Sequence, residues 1–76
     1  MPCDDREEVT AVLASLDGQH VEISSGLNYV VRVEGVLDTA RLADGFALVL
    51  AERGRVWVPC TDVRRVTSGD RAWGPF

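Results

Sequence analysis

The stretch FALVLAERGRVWVP, residues 46–59, decides the fold. Phe46, Leu48 and Leu50 alternate with Ala47, Val49 and Ala51. Glu52, Arg53 and Gly54 interrupt the run, and Val56 and Val58 then alternate with Arg55 and Trp57. Apolar residues at every second position on both sides of a short Gly-containing loop predict a β-hairpin. Phe46, Leu48, Leu50, Val56 and Val58 are expected to face inward, and Arg55 and Trp57 outward.

Before the hairpin, residues 5–17 read as a helix. Val9, Val12, Leu13 and Leu16 recur at i, i+3, i+4 and i+7, which lays down one apolar stripe. Asp5 can cap this helix, with Glu8 three residues on, and Gly18 can end it. Asp4, Asp5, Glu7 and Glu8 stand where the helix dipole favours negative charge, which accounts for the acidic cluster without a metal. A strand over 19–24, with Val21 and Ile23 inward, leads through the turn Ser-Ser-Gly-Leu-Asn to a second strand over 29–37. Gly35 is the candidate for a bend or a bulge in it. Residues 38–45, DTARLADG, read as a loop. Pro59 to Asp62 should form a single turn, and Val63 to Thr67 a fifth strand. Residues 68–76 are Gly- and Pro-rich and are expected to be irregular, with Trp73 and Phe76 either clasping the sheet or disordered. The whole, residues 1–76, is one mainly β domain: a helix, then a five-stranded antiparallel small barrel over 19–67.

With 76 residues, of which 46% are hydrophobic, the chain can fold but buries only a modest core. No apolar run approaches the roughly 18 residues of a membrane span. The start, MPCDDREE, is acidic and lacks an apolar leader, so a cytoplasmic setting is expected. The net charge of −4 disfavours broad nucleic-acid binding, but it is unevenly spread. Residues 1–51 hold nine acids and three Arg, whereas residues 52–76 hold three acids and five Arg. Every basic residue is Arg, whose planar fork suits phosphate and carboxylate.

Catalytic chemistry is not indicated. His20 is the single His, and nothing in the sequence orients it toward Cys60 for thiol catalysis. Cys3 and Cys60 lie far apart without a C-x-x-C pair, so two free thiols are expected. A disulfide between them requires the N-terminus to fold over the end of the hairpin. No phosphate-cradling Gly loop is present. The candidate RNA- or partner-binding residues are Arg41, Arg53, Arg55, Trp57, Arg64 and Arg65, because an exposed Trp beside Arg suits base stacking or a protein hot spot.

Helix, five short strands and a one-turn break before the last resemble the Sm-like family, which includes the bacterial host-factor branch. Leu16, Gly18, Val21 and Ile23, then Gly35, Leu37, Phe46 and Leu48, fall at the offsets of its first motif, and Val58, Val63 and Val66 at those of its second. The resemblance covers residues 8–67. It implies that the hairpin is the third and fourth strands, and that the fourth pairs with a neighbouring subunit's fifth, which puts Trp57 at a subunit contact. The family's base-holding Asp and Asn are replaced by Arg41 and Gly45, and its Arg-Gly pair by Pro59 and Cys60, so the usual base pocket does not carry over. Cys3-Asp4-Asp5 before a helix also resembles the Rof-type acidic inhibitors of the transcription terminator Rho. The expectation is therefore a non-enzymatic Sm-like module that binds RNA or a ribonucleoprotein assembly as a homo-oligomer, without cofactor or small-molecule substrate. The alternative is an acidic protein-interaction module or inhibitor that binds no RNA.

Overall fold

The computed structural model describes residues 7–26 and 30–76. Cys3, the expected cap Asp5 and the expected strand start Tyr29 lie outside them. Helix α1 spans Glu7–Ser15 and is followed by β1 (His20–Ser25), β2 (Val31–Asp38), β3 (Phe46–Ala51), β4 (Gly54–Pro59), β5 (Val63–Ser68) and β6 (Arg71–Trp73). All neighbours are antiparallel, and the strands form one open sheet in the order β4-β3-β2-β1-β5-β6. The chain is thus mainly β, with six strands among the described residues where five were expected. Among the described residues, no helix is long and apolar enough to cross a membrane.

The helical stripe does what its spacing predicts. Val9, Leu13 and Leu16 are buried, and Val12 packs beside them against the core. Inward residues of the sheet complete that core: Val21, Ile23, Leu37, Ala47, Val49, Val58, Val63 and Val66. The helix closes at Ser15, short of the expected residue 17, because Leu16 begins a turn in which Gln19 N–H donates to the Leu16 carbonyl. Asp17 ties that turn to the β2–β3 loop by accepting from the Thr39 backbone N–H and hydroxyl at 3.0 and 2.9 Å. The loop itself is more ordered than expected. Leu42–Asp44 form a 3-10 turn, and Leu42 enters the core. A second 3-10 turn, Cys60–Asp62, joins β4 to β5 where the single tight turn was expected.

Three expectations need correction. The first concerns β3, where Ala47 and Val49 face the core, while Phe46 and Leu50 are exposed. Ala51 pairs with Gly54, so the hairpin loop is Glu52-Arg53, two residues and not three. Residues directly opposite share a face. The inward Val56 and Val58 therefore draw Val49 and Ala47 inward with them, and Leu48, opposite the outward Trp57, is nonetheless buried as expected. The second concerns the C-terminal residues, which are structured. Ser68 pairs with Arg71 across Gly69-Asp70, and β6 continues with Thr67↔Ala72 and Val66↔Trp73. Trp73 and Phe76 pack against the core, the clasp of the two alternatives expected, and the Phe76 N–H donates to the Arg64 carbonyl at 2.8 Å. The apolar contact of Trp73 and Phe76 offsets the entropy of ordering this tail. The third is that Cys60 is not a free thiol: it is buried and disulfide-bonded.

The register irregularity also lies elsewhere than expected. Pairing of β1 with β2 runs past Gly35 without a shift, whereas pairing of β1 with β5 slips between Ser24 and Ser25. Gly35 instead marks a close approach. A Cβ there would stand 2.5 Å from the Leu50 carbonyl oxygen.

Candidate interaction site

The two-residue loop of the β3–β4 hairpin builds the first surface. It places Phe46 and Leu50 on the same outer face as Arg55 and Trp57. Trp57 is 49% exposed, Leu50 42%, Phe46 40%, and Val36 of β2, directly opposite Leu50, 39%. The Phe46 and Trp57 rings meet edge to face, with centroids 6.2 Å apart. Aromatic pairs favour this arrangement, and it holds both rings in place without burying them. Strand β4 is an edge of the sheet, so the apolar face runs up to a strand whose outer side has no partner strand among the described residues.

Beside the ring pair lies a shallow cavity of about 310 Å³, lined by Arg41, Asp44, Phe46 and Trp57. The backbone around it is well tied. Gly45 N–H donates to the Leu42 carbonyl, Phe46 N–H to Arg41, and Cys60 N–H to Gly45. Arg41 reaches Asp44 at 3.2 Å, with both side chains about 60% exposed. An ion pair in such contact with water contributes little to stability and leaves both charges accessible to a partner.

The β1–β5 slip builds the second surface. Ser24 opposes Arg65 and Ser25 opposes Val63, so Arg64 is the extra residue of a β-bulge. Arg64, Arg65, Arg32, Ser24, Val30 and Pro75 line a recess of about 470 Å³. The half-buried Arg64 donates from Nε to the Gly26 carbonyl at 2.8 Å.

The six sequence-predicted residues therefore fall into three places. Arg41 and Trp57 meet at the first cavity, and Arg64 and Arg65 at the second. Arg55 lies on the face of Trp57, opposite Leu50, and Arg53 stands apart in the exposed hairpin loop. Sequence reading missed Phe46, Leu50 and Val36 as surface residues, and Arg32 as a partner of Arg64 and Arg65. A two-residue loop, counted correctly, would have exposed the first two. The Arg32 placement needs the register of three strands. His20 is an exposed strand residue opposite Val36, and the sulfur of Cys60 is committed to a disulfide. Among the described residues, no three His, Cys, Asp or Glu are grouped to hold a metal ion. No protein-family model, curated protein or solved structure matches the chain.

Proposed function

We propose that the chain is a non-enzymatic binding module, a small Sm-like or SH3-like barrel, that self-associates through the outer β3–β4 face and the open edge of β4. The observation that carries this is the exposed Phe46–Trp57 pair, continuous with Leu50 and Val36 and bordering an edge strand. A contiguous apolar patch on so small a chain marks an interaction surface. An antiparallel strand pair is self-complementary about a two-fold axis, so β4 of one copy suits β4 of a second. The surrounding charges are of both signs, Arg41 and Arg55 against Asp38 and Asp44, so a second copy meets attraction as well as repulsion. The strand order, with β1 between β2 and β5 and one helical turn before β5, supports the small-barrel assignment.

The pairing differs from the ring that the Sm resemblance implies. That ring needs the outer edge of β5, and here β6 and Phe76 occupy it. A two-fold dimer through β4 avoids the conflict. A cytoplasmic setting fits less well than the sequence suggests, because a disulfide such as that of Cys60 persists in oxidising compartments.

Light scattering across a concentration series tests the proposal. The expected mass is twice the 8.3 kDa of the chain, and Trp57→Ala should return it to a monomer with an unchanged circular dichroism spectrum. A wild-type chain that stays monomeric at every concentration sinks the self-association reading. RNA binding is the second reading. It is favoured by the convergence of Arg32, Arg64 and Arg65, and opposed by the net charge of −4.

A further inference from the structure

We infer that the recess at the β1–β5 bulge is a binding site for phosphate groups, held by Arg32, Arg64 and Arg65. The inference deepens the RNA reading above but does not depend on it, since the phosphate can belong to a small molecule. Four observations support it.

Strict alternation along a strand sends successive side chains to opposite faces. The bulge suspends that rule, and two consecutive arginines come to line one recess. Strand β2 supplies the third. Arg32 pairs with Ser24, and Ser24 pairs with Arg65, so the two arginines flank Ser24 on one face. Their backbones are two inter-strand spacings apart, roughly 10 Å, and the long side chains can close on an anion between them.

Among the described residues, no carboxylate forms an ion pair with any of the three arginines. The next rung, Glu22 opposite Glu34, is acidic and bounds the site on that side. In a chain of net charge −4, this is a local concentration of positive charge.

The recess is also braced. The Gly26 carbonyl holds the Arg64 side chain, and the Phe76 N–H holds the Arg64 carbonyl. Gly74 fits closely against the backbone there, at φ 107°, with a would-be Cβ only 2.7 Å from the Arg64 oxygen. Arg64, held before binding, loses less side-chain entropy on capturing a ligand.

Three guanidinium groups around one recess exceed what a single carboxylate can neutralise. A phosphate group carries more charge and more acceptor oxygens, and it meets arginine forks in paired hydrogen bonds. The Ser24 hydroxyl lies between Arg32 and Arg65 as a further donor.

The test is a titration at low salt, followed by the arginine Nε–H and backbone amide resonances. Inorganic pyrophosphate should shift Arg32, Arg64 and Arg65 saturably. Arg32→Gln and Arg65→Gln, both at exposed positions, should each weaken binding about tenfold. Trp57→Ala should leave the titration unchanged, which separates this site from the self-association face. A single-stranded oligonucleotide that competes with pyrophosphate identifies polymer phosphates as the ligand. Failure to compete identifies a small phosphorylated molecule, and the site stands while the RNA reading falls. The inference is overturned if pyrophosphate gives no saturable shift, if the arginine variants bind as wild type, or if polyglutamate binds more tightly than pyrophosphate.

Discussion

Gly35 lies on the inner side of β2, opposite Val21, where the β3 backbone comes within 2.9 Å of a would-be methyl at three atoms. Those atoms belong to the Leu50 carbonyl and the Ala51 Cα, none of which can rotate aside. Gly35→Ala should therefore lower stability by about 1–3 kcal/mol, the usual range for overpacking, read as a lower urea midpoint at unchanged slope. An unchanged midpoint would mean that β2 and β3 separate easily here. The sequence marked Gly35 as special without saying why. Alternation showed that β3 has two unlike faces, but both are apolar, and composition alone did not say which is inward. A three-residue loop would set Leu50 opposite the inward Val56, whereas the two-residue loop sets it opposite Arg55. One residue of loop length inverts every side chain on the strand. Trp57 was placed correctly because β4 alternates apolar with polar or aromatic residues, which leaves a single inward choice.

At the scale of elements, the C-terminal segment has two roles. Strand β6 and Phe76 cover the outer edge of β5, and they brace the bulge that gathers Arg64 and Arg65. The side chain of Trp73 packs on the core beneath the Arg71 guanidinium, which lies 4.8 Å from its ring centroid. Removal of residues 71–76 should cost roughly 2 kcal/mol, since two half-buried aromatic residues are lost. It should also open β5 to strand pairing, so that light scattering detects species larger than a dimer. A truncated chain of wild-type stability and mass would show that the segment neither braces the sheet nor protects its edge. Helix α1 and the hairpin were legible because periodicity and turn residues are local signals. β6 was not, because its three residues, Arg71–Trp73, carry too short a pattern. Its formation depends on β5 as a template.

Over the whole molecule, the two proposed surfaces differ in physical character and should separate by salt. Self-association through Phe46, Leu50 and Trp57 buries apolar area and should change little as salt rises. Phosphate capture by exposed arginines should weaken severalfold between about 50 and 200 mM salt, as screening and ion competition grow. Equal sensitivity of both equilibria would argue against assigning the first to apolar contact. By itself, the sequence determined a short mainly β chain, one amphipathic helix, the central hairpin and an Arg-rich C-terminal third, because each is written in composition or in a period of two or 3.6 residues. The tertiary structure alone decided which face of β3 is exposed, that the tail closes the β5 edge, and that Arg32 joins Arg64 and Arg65. Those outcomes rest on register between strands distant in sequence. A one-residue slip or bulge there re-aims side chains while leaving the local pattern untouched.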